Sequence, residues 1–511
     1  MIRSNGVFAR LAIGAGLCLM AAGPQAFAGG TVVVGATASV VSYNPYADSQ
    51  SMPYAVWCQM YGCLGVYDHR KGDYVGMLAE RWEVDKDDPR NWIFHLRKGL
   101  KRHVDGKELT AEDVVHSIDR IRNDPNSRQA TNVREIARAI ALDRHTVKLV
   151  TKAPTAPLLE YLFDRLIVTG KDLFDKYGVR KADREHPWGW GPYKLKDVQI
   201  GERIVLEKYA EHPWVKRENP DTLIFRIMRE AEQRVTALLN GEIQIAQYIP
   251  PHLAKRIEAS PKAKVVRAAS NRIMFVAMSP KHKPWDSRLL RQAVCHAIDR
   301  RAIIEHILNG YAEPLTGPIG PGQYGFDADF AAKHLQVPYD PEKAKKLVAQ
   351  SGYKGEPVEL VTTVGRFIND KQVTESMIPM LNAAGIRARL SAPDYSFMWP
   401  NVQKGKIGFF YIGRGGVVDG SVAMSQYFET GGSPRIGISD PAIDVAMAKQ
   451  RVSFDPATRK VALNQAFKAI VDAAPACFLW RHHSLTGLAR QLEHTPDPSD
   501  RIFGVDIAVK Q

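Results

Sequence analysis

Hydrophobic and polar positions recur along this chain with two different periods, and the periods predict where strands and helices lie. The apolar run TVVVGATASV, residues 31–40, predicts a buried strand, and a polar loop separates it from a helical segment around Trp57. Trp92, Phe94 and Leu96 recur at a spacing of two, which is typical of a strand.

A capped helix is predicted directly after this strand. Asp105-Gly106 is a turn sequence. Thr110 can cap a helix, and Asp113, three residues later, takes the place of the usual Glu or Gln of a capping box. The sequence NDPN then ends the helix. One apolar stripe at helical spacing is formed by Val114, Val115, Ile118 and Ile121.

The rest of the chain continues to alternate between strands and helices. We predict a strand hairpin in WGPYKLKDVQIGERIVLEKY, a helix closed by Asn240-Gly241, an amphipathic helix pair carrying Cys295, and a strand, helix and strand over 358–390. This alternation predicts mixed α/β lobes. The Pro- and Gly-rich loop 315–325 is predicted to be a connector.

The segment 94–120 holds three histidines and five carboxylates, which raises the question of a catalytic or metal-binding cluster. Glu112 and His116 are four residues apart and are expected on the helix face opposite the apolar stripe, where a charged pair is a weak surface pair. His103 and Asp105 are expected at the turn. The segment contains no His-Glu-x-x-His motif. We therefore predict that it is scaffold.

The N-terminus has the anatomy of a secretory signal peptide. MIRSNGVFAR carries two arginines and no acid, LAIGAGLCLMAA is a short apolar run, and an Ala-x-Ala site ends at Ala28. The apolar run is shorter than a bilayer span, which argues against a membrane anchor. Cys18 follows Leu17, where a lipoprotein signal would have a small residue. We predict cleavage of residues 1–28 and a soluble mature protein in the periplasm.

Length and charge restrict the class of protein further. A chain of 511 residues is long enough for two or three domains. The formal charge is +14, but 69 basic residues are interleaved with 55 acidic ones, and the densest basic patch is LRKGLKR. Nucleic-acid proteins concentrate such charge on one face. We therefore expect no nucleic-acid partner.

Four cysteines remain after cleavage, of which Cys58 and Cys63 are five residues apart. They can form a local disulfide if the backbone bends at Gly62, whereas a helix through both would not point them at each other. The sequence leaves both alternatives open. It contains no CxxC motif and no Cys/His spacing of a zinc site.

Motifs of catalysis are absent or poorly placed in the sequence. There is no Gly-x-Ser-x-Gly elbow and no Walker loop. Gly320, Gly322 and Gly325 match a dinucleotide fingerprint literally, but they include Pro321 and open no helix. The two neighbouring histidines in RHHS, residues 481–484, are interpreted as part of a strand end in preference to a metal site. We predict no catalytic residue, no metal, no cofactor and no enzyme activity.

Taken in order, these segments resemble one family closely. The matching stretches are LAERWEV with NWIFHLRKGLKRHVDGKELTAEDVVHSIDRI, then WGPYKL, REAEQRVTALLNGEIQIAQ, PWDSRLLRQAVCHAIDRRAIIEHILNGYAEP and YDPEKAKKLVAQSGY. They resemble the extracytoplasmic solute-binding proteins of family 5, which serve peptide, dipeptide and nickel ABC transporters. Two departures are RHVDG in place of Phe-His-Asp-Gly, and Trp190 in place of the Thr of Gly-Thr-Gly-Pro-Tyr.

The resemblance implies an α/β fold of the class II periplasmic binding protein type, with two lobes and an extra subdomain in the first lobe. Ligand that bridges two closing lobes favours the closed state, which a membrane permease can then recognise. The expected boundaries are 29–64, 186–270 and 485–511 for lobe I, 65–185 for the extra subdomain, and 271–484 for lobe II.

The resemblance also suggests which residues hold the ligand. In the dipeptide branch, an Arg after a second-lobe strand takes the ligand carboxylate and an Asp after a Gly-Trp strand end takes the ammonium. Arg366 stands at the first position, and a guanidinium fork suits a carboxylate. At the second position, the sequence FFYIGRGGVVDG has Arg414 in place of the Trp. Strict register places Val417 where the family has the Asp, and Asp419 is the acid two residues later.

Aromatic residues complete the expected ligand set. Trp399, Trp190, Tyr43 and Trp57 fall in segments expected to line the cleft, although a single aromatic residue is more often part of a core. We expect a monomer that delivers a peptide or similar small solute to inner-membrane permease subunits. A nickel chelate, an opine or an oligosaccharide is the alternative ligand, and a periplasmic chaperone or hydrolase is the less favoured function.

Overall fold

The computed structural model describes residues 30–48, 51–163, 165–364, 366–415 and 418–510. The predicted signal peptide therefore lies outside the described residues. The strands are β1 Thr31–Ala36, β2 Gly65–Asp68, β3 Asp73–Gly76, β4 Ala79–Val84, β5 Asn91–Leu96, β6 Ile136–Asp143, β7 Thr146–Thr151, β8 Tyr193–Gln199, β9 Arg203–Lys208, β10 Thr222–Ile227, β11 Ile245–Ala246, β12 Ala263–Met278, β13 Ala312–Pro314, β14 Val358–Val361, β15 Ala388–Ser391, β16 Phe409–Arg414, β17 Ala476–Ala489, β18 Leu492–His494 and β19 Ile507–Val509.

The helices fall between these strands, as the alternating pattern predicted. They are α1 Ser51–Tyr61, α2 Ala111–Asn123, α3 Leu158–Leu162, α4 Lys171–Glu185, α5 Ala231–Asn240, α6 Pro251–Glu258, α7 Arg288–Ala297, α8 Arg300–His306, α9 Ala328–His334, α10 Pro341–Gln350, α11 Asp370–Ala383, α12 Tyr395–Gln403, α13 Gly420–Phe428, α14 Pro441–Arg451 and α15 Pro456–Ala473.

One long sheet runs through both lobes, in the order β15-β14-β16-β12-β17-β11-β1-β10-β9-β8, with β13 on β17. β12 and β17 are long enough to belong to both lobes: one half of the pair lies beside β11 and the other half beside β16. Their register breaks between Ala269 and Ile273. We call this break the hinge, because the two lobes are joined there by an irregular part of an otherwise continuous ladder. The predicted two-lobe α/β fold is confirmed.

Each lobe has apolar cores on the faces of this sheet. In lobe I, one cluster joins Val32 of β1, Trp57 of α1 and Phe94 of β5. The four-stranded sheet β4-β5-β7-β6 therefore shares its core with the lobe I sheet. In lobe II, two clusters lie on opposite faces, one around Val276 and the other around Phe275 of β12, as the period of two in a strand requires.

Local signals in the sequence explain several boundaries. The side chain of Asp113 accepts a hydrogen bond of 2.9 Å from the backbone N of Thr110, which confirms the capped start of α2. Gly241 caps α5 with a φ of 82°, a left-handed conformation that Gly adopts without a steric cost.

The course of the backbone decides whether Cys58 and Cys63 form a disulfide or lie in one continuous helix. α1 ends at Tyr61, Gly62 takes a φ of 88°, and Cys58 and Cys63 form a disulfide with Cα atoms 5.2 Å apart. The helix does not continue through both cysteines, so the bend at Gly62 brings them together.

The prediction that Glu112 and His116 both lie on the exposed face of α2 is wrong for His116. Glu112 is exposed, but His116 is half-buried, with its ring centre 5.1 Å from that of Phe174. α4 covers this face of α2, a tertiary contact that helical spacing by itself does not reveal.

Candidate functional site: the cleft between the lobes

The carboxyl ends of the central strands of both lobes meet at the hinge. In lobe II, Arg414 at the end of β16 pairs with Ile273, directly beyond the register break, and β14 runs parallel to β16. In lobe I, β11 runs antiparallel to β17, so its carboxyl end points towards Ser484. Ligands of open α/β sheets bind outside the carboxyl ends of the strands. The loops after these strands therefore form the candidate cleft.

Arg366 is exposed on the lobe II side of this cleft, in the loop between β14 and α11. Its guanidinium carbon lies 5.5 Å from the centre of the Phe367 ring, and that of Arg272, in the hinge, lies 5.9 Å from the same ring. The backbone N of Arg366 donates to Oδ2 of Asp370 at 3.0 Å, which fixes the loop to the start of α11. Two guanidinium groups thus lie against one ring at the cleft edge, where planar donor pairs match the oxygens of a carboxylate.

Arg414 and Trp399 belong to the lobe II wall and already contact protein groups. The guanidinium of Arg414 donates to Oε1 of Gln426 at 2.8 Å and to the carbonyl of Gly415. Burial lowers the pKa of Arg414 below its usual range. The ring of Trp399, in α12, lies 5.0 Å from the guanidinium carbon of Arg435.

Asp419 is 2% exposed and caps α13. Its Oδ1 accepts from the backbone N of Ser421 at 3.0 Å, and its Oδ2 lies 2.6 Å from Nη2 of Arg459. A ligand ammonium at this carboxylate would share it with Arg459. Val417, where strict family register would put this acid, lies outside the described residues.

The aromatic candidates of lobe I differ in exposure. Trp57 and Trp190 are each 1% exposed. Their indole nitrogens donate within lobe I, to Oδ2 of Asp48 and to the carbonyl of Lys107, both at 3.0 Å. Tyr43 is half-buried in the loop after β1. In this arrangement Tyr43 follows the carboxyl end of a strand, whereas both tryptophans pack in the core.

An acid that sequence reasoning missed lies at the hinge. Asp500 is partly buried, has a φ of 63°, and accepts hydrogen bonds from the hydroxyls of Ser484 and Tyr248. Burial raises the pKa of Asp500 to about 6, while Arg272 opposes that shift. The segment HTPDPSD carries no motif that points to a site, so only the return of the chain to the hinge reveals Asp500.

A separate cavity of about 800 Å³ lies in lobe I. It is bounded by the β2-β3 hairpin, the loop after β9 and the segment before β19, and it carries charges of both signs. None of the seven predicted ligand residues, all of which are described, lines it. Its aromatic lining residues are Tyr67, Tyr74, Trp82, Trp214 and Phe503.

The histidine-rich segment has the contacts of a scaffold. His103 is 2% exposed, and its Nε2 lies 2.8 Å from the carbonyl O of Gly191. Burial lowers the pKa of His103 to about 4. Asp105 binds the guanidinium of Arg102 with both of its carboxylate oxygens. The side chains of His103 and Asp105 therefore hold the turn in place within lobe I.

Within the described ranges, no group of three or more His, Cys, Asp or Glu side chains is placed to hold a metal ion. No helix in that part of the chain combines the length and apolar character that crossing a bilayer requires.

Comparison with known proteins gives the family. The model of bacterial extracellular solute-binding proteins, family 5, matches residues 73–434. The glutathione-binding protein GsiB of Pectobacterium atrosepticum is 25% identical over 98% of this chain and 98% of its own length.

Two solved structures show the same fold. The substrate-binding protein CtaP of Listeria monocytogenes has a TM-score of 0.83 at 22% identity, over 94% of this chain and all of that one. The dipeptide-binding protein of Pseudoalteromonas sp. SM9913, solved with Met-Leu, has a TM-score of 0.78 at 20% identity, over 94% of this chain and all of that one. With its two lobes joined by the long strands β12 and β17 and a family model that matches residues 73–434, the chain belongs to the family 5 extracellular solute-binding proteins and is the substrate-binding component of an ABC transporter.

Proposed function

We propose that this protein, exported to the periplasm, binds short peptides with free carboxylates, of the glutathione type, as a monomer and presents them to its permease. The observation that carries the proposal is the pair of guanidinium groups, of Arg366 and Arg272, on the Phe367 ring at the cleft edge. The curated relative named for glutathione supports the same ligand class.

Charge and geometry support this ligand class. A peptide of this type carries one or more carboxylates and one ammonium. Arg366 reaches from lobe II and Arg272 from the hinge, so a carboxylate between them contacts groups that move relative to each other. Charge-assisted bonds made only in the closed state favour that state by their differential free energy. The ligand is bound and released unchanged, and the proposal assigns no catalytic group.

The ammonium group of the peptide ligand has two candidate carboxylate partners. Asp419 is the acid that the sequence suggested, and its carboxylate is bonded to Arg459. Asp500 lies at the hinge with hydroxyl donors around it. An ammonium at Asp500 would replace neutral donors, whereas an ammonium at Asp419 would compete with a buried guanidinium. Asp419→Asn and Asp500→Asn distinguish the two, because each keeps the shape of its side chain.

The deciding experiment identifies the ligand and then locates it. Native mass spectrometry of protein purified without refolding gives the mass of co-purifying ligand, and titration calorimetry compares glutathione, its amidated form, dipeptides and an opine. We expect binding of free-carboxylate peptides that Arg272→Ala weakens.

A matched control variant is Trp214→Ala in the lobe I cavity, which should leave the affinity unchanged. Loss of binding in Trp214→Ala with no effect of Arg272→Ala would move the ligand to that cavity. Binding of the opine but of no peptide would refute the peptide class.

A further inference from the structure

Glu160 of α3 connects the two lobes at the cleft. Its Oε2 accepts from the backbone N of Asp419 at 2.9 Å and from that of Val418 at 3.2 Å, both in lobe II. The hydroxyl of Tyr74, in lobe I, donates to the same oxygen at 3.1 Å. Glu160 is 4% exposed, so these bonds exist only while lobe II covers α3.

Neighbouring contacts place the same part of lobe I against lobe II. The backbone N of Ala156 donates to the carbonyl of Arg451 at 2.7 Å, and the rings of Trp92 and Phe454 have centres 5.9 Å apart. α3 thus lies in a docked edge between the lobes, and Glu160 is the carboxylate at that edge which bonds to the loop before α13.

We propose that Glu160 is a positioning residue that latches lobe I to the loop carrying Asp419, and that closing the lobes takes up a proton on this carboxyl group. The inference rests on the proposed function for its ligand, but the latch itself is a property of the ligand-free chain. Val418 and Asp419 lead directly into α13, so fixing their amides fixes the position of the α13 cap.

The surroundings of Glu160 give the direction of the proton linkage. Burial raises the pKa of Glu160 to about 7, above the ordinary 4.5. Arg165, with a guanidinium nitrogen 3.6 Å from Oε1, opposes this shift, and so does the hydrogen bond from the backbone N of Asp419, whereas the carboxylate charge of Asp419 adds to it. Among the described residues, Tyr67 and Arg414 also interact electrostatically with Glu160.

Opening the lobes exposes the carboxyl group and returns it towards its ordinary pKa. The closed state therefore binds the proton more tightly than the open state. Closure is favoured at low pH and weakens as the pH rises from about 4.5 through 7. A protonated Glu160 can still accept the two backbone N–H groups through Oε2.

Hydrogen–deuterium exchange of a peptide covering residues 418–428 tests the latch without ligand. After correction for the intrinsic pH dependence of exchange, we expect protection in the wild type to fall at least tenfold between pH 5 and 8, because the pKa of Glu160 is about 7 in the closed state and near its ordinary 4.5 in the open state. Glu160→Gln should keep the protection at both pH values, because the amide oxygen accepts the same bonds without titrating. Glu160→Ala should lose it at both.

Glu112→Gln is the matched control, since Glu112 is exposed on α2, and it should keep the wild-type slope. A wild-type slope in Glu160→Gln, or wild-type protection in Glu160→Ala, would overturn the proposal. Calorimetry with glutathione gives the second readout: Glu160→Gln should bind more tightly than wild type at pH 8. Exchange that follows the expected pattern while neither glutathione nor the dipeptides bind would refute the peptide class and leave the latch intact.

Discussion

Asp419 and Arg459 form an ion pair buried inside lobe II, with Oδ2 and Nη2 2.6 Å apart and both residues at most 5% exposed. Arg459 also donates to Oε1 of Gln450, and Asp419 caps α13. The pair therefore joins α15 to the loop that enters the cleft, and Asp419 has a structural role whatever ligand binds.

Asp419→Ala should destabilise the protein by about 3–5 kcal/mol, because it leaves the Arg459 guanidinium buried without its carboxylate. Asp419→Asn should cost less, since Asn can still cap α13. Urea unfolding of both variants measures the difference. Stability of the Ala variant within about 0.5 kcal/mol of wild type, as at a surface site, would contradict the importance of the pair.

Arg366→Ala should weaken binding of free-carboxylate peptides by about 2–5 kcal/mol and leave amidated peptides unaffected, because only the carboxylate needs the guanidinium fork. Titration calorimetry with each peptide pair gives the comparison. Arg389→Ala is the control: Arg389 is exposed on β15 and pairs with Glu359 at 2.7 Å. Equal losses in the two variants would mean that net charge, and not the position of Arg366, determines affinity.

His103→Ala, Asp105→Asn and Glu112→Gln should each leave ligand affinity unchanged, because these side chains bond within lobe I or face solvent. Their stabilities should differ: His103→Ala removes a buried ring, whereas Glu112→Gln should stay within about 0.5 kcal/mol of wild type. Calorimetry and thermal unfolding measure the two properties. A folded variant that no longer binds would show that the segment contributes to the site.

Acid should destabilise the protein through His103. Burial lowers its pKa to about 4 from an ordinary 6.5, so the unfolded chain takes up the proton first. The stabilisation is fully present above pH 6.5 and is lost as the pH falls towards 4, by about 2–3 kcal/mol at pH 4.5. Urea unfolding at pH 7 and pH 4.5 should show a smaller pH effect for His103→Gln than for wild type. An identical pH effect in both proteins would argue against this assignment.

Export should remove residues 1–28. Mature protein from cells should begin at or near Gly29 and remain in solution without detergent, which N-terminal sequencing and fractionation check. An acylated N-terminus at Cys18 would instead mean a lipid-anchored protein.

Local chemistry in the sequence determined much of the secondary structure. The spacing of two in Trp92, Phe94 and Leu96 gave β5, and the Thr110 and Asp113 pair gave the start of α2. Asn240-Gly241 gave the end of α5. These signals act between residues close in the chain, so they can be recognised before the fold is known. The order of the segments was also enough to indicate the family.

The tertiary structure decided how the candidate residues are used. The resemblance suggested Asp419 as a ligand residue, two positions after the one that strict register gives. Its ion pair with Arg459 spans 40 positions, and the bond from its backbone N to Glu160 spans 259. His116 became half-buried because α4 covers α2, and Asp500 reached the hinge because the chain returns there after β17. Burial and partner choice depend on residues distant in sequence, whose contacts form only when the lobes pack.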